Sequence, residues 1–160
     1  MTERMNPSSD IQLLPAQPDD ARRLAELRAE ALFDSLSRLG RYNEQRVRER
    51  FYGSYDPQYT KIVEVGGRFT GCVALKPDAQ GEGWLLEHFY LSRDSRGHGV
   101  GAEVLRRMLL LAAEDPRPVR LNVLQGSAAR RLYARFGFET ESEDGIDVYM
   151  VLHPLLLPTA

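Results

Sequence analysis

The 160-residue sequence has a single cysteine, Cys72, and three histidines. One thiol rules out an intrachain disulfide, and no group of cysteine and histidine has the spacing of a zinc site, so no metal is expected. These absences suit a reducing, cytoplasmic setting. Long apolar runs are missing too. The most apolar stretch, RRMLLLAA at 106–113, is too short and too charged at its start to span a bilayer, and the N-terminal MTERMNPSSD lacks the apolar centre of a signal peptide. No membrane partner is expected. The net charge of −2 leaves no global basic field, and nothing local argues for nucleic acid.

What is present is an ordinary globular composition on a chain long enough to bury one core. Residues 1–9 are polar and read as a flexible N-terminus, 10–153 as a single domain and 154–160 as a tail. IQLLPA reads as a first strand ending at proline. PDDARRLAELRAEALFDSL reads as a helix with Asp19 and Asp20 as cap candidates and Leu24, Leu27, Ala31 and Leu32 on one stripe. After Gly40, Asn43 caps a shorter helix that carries Val47 and Phe51 four apart.

KIVEVGGRFTGCVAL is two strands joined by Gly66-Gly67, a pair able to take the positive φ angles of a tight hairpin turn. WLLEHFYLS is apolar on both alternating faces, with Trp84, Leu86 and Tyr90 on one and Leu85, Phe89 and Leu91 on the other. That pattern belongs to a central strand. From Gly99 the residues Val100, Val104, Met108, Leu111 and Ala112 recur at helical spacing until Asp115-Pro116. RPVRLNVLQ then reads as a strand, SAARRLYARF as a helix ending at Gly137, and FETESEDGIDVYMVL as a hairpin turning at Asp144-Gly145. The order β-α-α-β-β-β-α-β-α-β-β is that of a mixed α/β sheet.

The segment SRDSRGHGVGAEVL carries three glycines between the central strand and a helix. A helix start offers unpaired N–H groups and the positive end of the dipole, so a phosphate or pyrophosphate is the natural guest. A nucleoside-triphosphate loop would need Lys-Ser or Lys-Thr after Gly101, and neither is there. Gly97, Gly99 and Ala102 have the spacing of a dinucleotide fingerprint, but VRLNVLQGS has no acid for the ribose. A turn without any ligand is the remaining alternative.

The pattern Arg96-x-x-Gly99-x-Gly101 after a central strand resembles the GNAT superfamily of acetyl-CoA-dependent N-acetyltransferases. SAARRLYARFGFE adds to the likeness through Ala129, Tyr133, Gly137 and Phe138, and the strand order agrees over about residues 11–152. The resemblance implies a GNAT-like fold: a mostly antiparallel central sheet, strands four and five splayed at a β-bulge, and about four helices. It implies acetyl-CoA as co-substrate, its pantetheine arm along the backbone of Phe89, Tyr90 and Leu91. The pyrophosphate would lie on Arg96, Gly97, His98, Gly99, Val100 and Gly101, with His98 brushing phosphate or solvent.

Glu87 is a carboxylate in an otherwise apolar strand; burial there would raise its pKa and suit it to act as general base, directly or through water. The alternative is a partner for a buried arginine. The resemblance places Tyr133 opposite the cofactor sulfur, as proton donor to the departing thiolate. Ser127 stands where the family has an asparagine facing the pantetheine; a helix cap is its favoured reading. His88 lies opposite Glu87 if the strand is regular, and a bulge would reverse it. Cys72 reads as a small core residue.

The reaction implied is direct attack of a primary amine on the thioester. Arg38, Arg41, Arg46, Arg48 and Arg50, with Tyr42 and Phe51 among them, fall in the segment the family uses to wall the acceptor site. An arginine there would favour an acceptor with a carboxylate or phosphate beside its amine; a solvated helix face is the plainer reading. A small-molecule or amino-acid-like acceptor is therefore expected. An acetyl-CoA sensor or assembly module without transferase activity is the competing function. DVYMVLH, read as an exposed edge strand, would favour a homodimer.

Overall fold

The computed structural model describes residues 10–154; the expected flexible segment 1–9 and the expected tail beyond 154 lie outside the described residues. Seven strands form one sheet: β1 (Ile11–Pro15), β2 (Thr60–Val65), β3 (Arg68–Pro77), β4 (Trp84–Leu91), β5 (Val119–Leu124), β6 (Glu139–Glu143) and β7 (Asp147–Leu152). Their spatial order is β1-β2-β3-β4-β5-β7-β6, antiparallel except for the parallel pair β4–β5. The helices are α1 (Ala21–Arg38), α2 (Glu44–Ser54), α3 (Val100–Ala112) and α4 (Ala129–Arg135).

Both helix starts follow local chemistry. The Asn43 side chain accepts a hydrogen bond from the Arg46 N–H at 2.9 Å, as the sequence predicts for α2. Before α1, neither Asp19 nor Asp20 makes the expected side-chain cap: Asp20 is the N-cap without such a bond, and its carboxylate instead accepts from the Gln17 N–H at 2.8 Å, closing the capping box of a short 3₁₀ turn over Pro18–Asp20 that leads into the helix. At the β2–β3 turn Gly66 and Gly67 have φ of 58° and 79°, the left-handed pair the hairpin requires.

The sheet is covered on both faces. One cluster joins α3 and Tyr133 to Val63, Val73, Leu86 and Val148; another joins α1 and α2, through Leu24, Leu27 and Phe51, to Ile62 and Cys72. Phe51 is fully buried, and enclosing such a side chain contributes about 1.5–3 kcal/mol. The helical stripes differ from expectation in detail. Leu111 is 42% exposed, and Leu105 takes its place in the core. Ala31 and Leu32 are half-buried and face a cleft, while Ala25 and Ala29 are buried.

The strict alternation expected of β4 is broken. Ala74 pairs with Glu87 and Cys72 with Tyr90, so Val73 faces two residues, His88 and Phe89, across a bulge. Leu86 therefore shares the α3 face with Phe89, while Tyr90 packs toward α1 and α2. β3 comes very close beneath this point: a Cβ on Gly71 would stand 2.2 Å from the Tyr90 carbonyl oxygen. Gly71→Ala is expected to destabilise the fold by about 1–3 kcal/mol through forced backbone movement, read as a lower urea midpoint.

β7 corrects another expectation. It lies between β5 and β6, so the segment DVYMVLH is interior, and the edge belongs to β6. Its Glu139, Glu141 and Glu143 are exposed, a charge pattern that opposes edge-to-edge pairing.

Candidate active site

β4 and β5 pair only through Trp84–Val119 and Leu85–Arg120, and then part. The gap is a cleft of about 1180 Å³, walled by α1 and α2 on one side and by the β4–α3 loop and α4 on the other. From Leu86 to Leu91 the edge of β4 that faced β5 has no strand beside it among the described residues. Its backbone groups can take an extended guest as an added strand.

His88 is at the bulge with φ of 49°, the sole non-glycine residue of the described chain with positive φ. Such a conformation persists where surrounding contacts enforce it. Here the Ser54 hydroxyl donates to the Arg50 carbonyl at 3.0 Å, which leaves His88 Nε2–H to donate to Ser54 Oγ at 2.6 Å. His88 Nδ1 then accepts from the Tyr90 hydroxyl at 3.1 Å, and the Tyr90 oxygen accepts from Arg28 Nε at 2.9 Å. Arg28 is held in turn by the Val47 carbonyl. Cys72 Sγ donates to the His88 carbonyl at 3.1 Å. Burial, then Arg28 and Lys76, push the imidazole pKa down to about 4, so His88 is neutral near pH 7.

That depression has a consequence for stability. The unfolded histidine takes up a proton below its ordinary pKa of 6.5 while the folded one stays neutral down to about 4. Stability is therefore full above the upper value and is lost as pH falls through the window between them. Urea unfolding should show His88→Gln losing less stability than the wild type from neutral pH to pH 4, by about 2–3 kcal/mol.

Glu87 lines the same cleft, but it is not the isolated carboxylate that the sequence suggested. Lys76 Nζ stands 2.5 Å from its Oε1, and His88 Nε2 is 3.9 Å from the same oxygen. The partner is thus a lysine of β3 rather than a buried arginine. The bulge also overturns the regular-strand geometry, in which His88 and Glu87 point to opposite faces: Glu87, His88 and Tyr90 gather beside α1 and α2.

Tyr133 comes from α4 and packs edge-on to Phe138 with ring centroids 5.7 Å apart. Its hydroxyl makes no hydrogen bond among the described residues, and the residue lines the cleft. Burial, with Tyr90 adding to it, raises its pKa and keeps the phenol protonated. Tyr90 is likewise raised, to about 12, chiefly by burial. Buried Cys72 is raised to about 12 by the same cause and takes no part in the cleft.

At the far end Gly99 is the N-cap of α3 with φ of 77° and no side-chain cap. A Cβ on Gly97 or Gly99 would meet nothing within 4 Å. The loop is open, Gly97, Gly99 and Gly101 line the cleft, and a helix start without a side-chain cap suits a pyrophosphate. Gly101 is already in the first turn of α3, in ordinary contact distance of Leu91 and Leu132. Phe89, Tyr90, Leu91, Arg96, Val100 and Ser127 also line the cleft, whereas His98 is exposed and outside it. Ser127 Oγ accepts from the Ala129 N–H at 3.2 Å in the turn that leads into α4, whose N-cap is Ala128.

The arginine-rich segment divides. Arg38, Arg41, Arg46 and Arg50 line the cleft; Arg48 turns away into a two-point ion pair with Glu26 at 2.6 and 3.0 Å. Tyr42 lies edge-on to Phe33 outside the cleft, and Phe51 is core. Arg38 Nη1 donates to the Gly126 carbonyl at 3.0 Å and ties the end of α1 to the β5–α4 loop. Sequence reasoning missed Arg28, Ser54 and Lys76. Arg28 carried a signal, being a charge set inside the apolar stripe of α1; Ser54 and Lys76 carried none.

Residues 48–140 match the family model described as "Acetyltransferase (GNAT) domain". The chain belongs to the GNAT acetyltransferase family and is an acyltransferase. Similar solved structures include the PH1933 protein of Pyrococcus horikoshii, with 18% identity, 92% of this chain and 99% of the other covered, and a TM-score of 0.73. The PaiA N-acetyltransferase of Thermoplasma acidophilum, solved in complex with coenzyme A, is 19% identical over 91% of this chain and 99% of its own, with a TM-score of 0.69. An acetyltransferase of Thermus thermophilus is 20% identical over 91% and 97%, also at 0.69. A sequence search among curated proteins finds no match.

Proposed function

We propose that the protein moves an acetyl group from acetyl-CoA to the primary amine of a small molecule by direct attack of the amine on the thioester. The observation that carries this reading is the unpaired edge of β4 from Leu86 to Leu91, leading from the Glu87–His88 cluster to the open Gly97–Gly99 loop. The loop and the start of α3 hold the pyrophosphate, and the β4 backbone binds the pantetheine arm. Coenzyme A supplies the activated acyl group and a thiolate leaving group. Tyr133, protonated and without a hydrogen-bond partner among the described residues, donates a proton to the departing sulfur.

On the amine side, Glu87 holds the proton released as the new C–N bond forms, with Lys76 fixing its carboxylate. Neutral His88 orients the Tyr90 hydroxyl and Ser54 around the incoming nitrogen. Alignment of amine and thioester accounts for much of the acceleration. Residues 10–153 act as one domain in this reading, in a cytoplasmic setting.

Isothermal titration with acetyl-CoA and with NADH, followed by thiol release over a panel of amines, tests the proposal. Acetyl-CoA binding with amine-dependent release is expected. Binding without release from any amine overturns the transferase reading in favour of a sensor. Glu87→Gln should lower turnover by about 10²-fold with acetyl-CoA affinity little changed, seen in kcat from the thiol-release assay and in titration calorimetry.

A further inference from the structure

α2 presents Asn43, Arg46, Val47, Arg50 and Ser54 to the cleft as one stripe. Arg46 and Arg50 are one turn apart on that face, an arrangement of like charges that costs a free helix stability unless an anion lies between them. Neither has a carboxylate partner among the described residues, and the same holds for the other arginines that line the cleft. Outside the cleft most arginines are paired, for example Arg48 with Glu26, Arg106 with Glu103 and Arg120 with Glu141.

The acids that share the cleft do not neutralise this wall. Asp34 faces Arg93 at 3.6 Å, Asp147 accepts from Asn122 at 3.2 Å, and Glu87 is taken by Lys76 at 2.5 Å. The positive charge of α2 is also at the acceptor end. The turn that carries Arg50 is joined through its carbonyl and Ser54 to His88 at the mid-strand bulge, whereas the glycine loop follows only after β4 has ended at Leu91. With Glu87 already paired to Lys76, what the adjoining helix adds is guanidinium charge without a carboxylate partner among the described residues, which complements an acceptor that carries an anionic group beside its amine.

We propose that Arg46 and Arg50 bind the carboxylate of an amino-acid acceptor whose amine is presented to Glu87 and His88. This rests on the transferase reading above and narrows its substrate class. The guanidinium forks suit a planar carboxylate through charge-assisted hydrogen bonds. An amine without the anionic group binds the same cleft more weakly.

The experiment compares the protein-forming amino acids with their carboxamides in the thiol-release assay, using wild type and an Arg46→Gln/Arg50→Gln double variant; both side chains are exposed, so folding is not at stake. In the wild type the preferred amino acid should exceed its carboxamide in kcat/KM by about tenfold or more, and the ratio should collapse toward one in the variant. An absent preference, or a ratio unchanged in the variant, overturns the proposal. So does a loss of acetyl-CoA affinity in the variant with the ratio retained, because the arginines would then serve coenzyme phosphates. If acetyl-CoA binds but no amine releases thiol, the transferase reading fails by itself. Titration of the CoA-saturated protein with the same amino acids and carboxamides then decides: selective amino-acid binding lost in the variant supports the anion subsite, and no such binding overturns it.

Discussion

Gly99→Asp should abolish acetyl-CoA binding in a protein that remains folded. Gly99 caps α3 in the left-handed region at φ 77°, and the space where its side chain would grow is empty. A carboxylate there would occupy the room we propose for the pyrophosphate and place a negative charge at the end of the helix dipole that favours an anion. The backbone cost adds about 1–2 kcal/mol, a penalty that aspartate bears better than most residues. The loss of affinity should reach at least about 10²-fold, since charge repulsion replaces charge-assisted hydrogen bonds worth about 1.5–3 kcal/mol each. Titration calorimetry reads the affinity and circular dichroism the fold. Unchanged acetyl-CoA binding in the folded variant would remove the pyrophosphate from this loop.

Tyr133→Phe should lower turnover by about 10²-fold or more while acetyl-CoA affinity changes little. The ring packs against Phe138 and is retained by phenylalanine, so the core is preserved. What disappears is one hydroxyl, unpartnered among the described residues and kept protonated by burial. A group used only as the sulfur departs contributes to kcat and hardly to binding. Equal turnover in the two proteins would leave Tyr133 as a core residue and assign the leaving-group proton elsewhere.

Much of the site was legible because its parts are local. Gly97 and Gly99 before an amphipathic helix, with Gly101 in its first turn, mark an open strand-to-helix loop whatever surrounds them, and Asn43 caps α2 through its own backbone neighbours. The alternation in WLLEHFYLS was legible as a central strand but not as a bulged one. A single inserted residue leaves no periodic mark in eight positions, and it changed which face Glu87, His88 and Tyr90 share. Leu111 failed for a related reason: helical spacing places it near the apolar stripe, but α3 packs with Leu105 in the core and leaves Leu111 exposed. DVYMVLH had the composition of a strand, but composition is silent on whether that strand lies at an edge.

The amino-acid order by itself determined the element sequence, the tight turn at Gly66-Gly67, the cap of α2 and the glycine turn into α3, because each depends on interactions within a few residues of chain. The tertiary structure decided everything that joins distant segments. It set Lys76 against Glu87, closed the chain from Ser54 through His88 and Tyr90 to Arg28, and turned Arg46 and Arg50 into the cleft while Arg48 went to Glu26. Such pairs are set by strand register, one bulge and the packing of α1 and α2 on the sheet, and side-chain direction in each case follows from contacts that no local window of sequence contains.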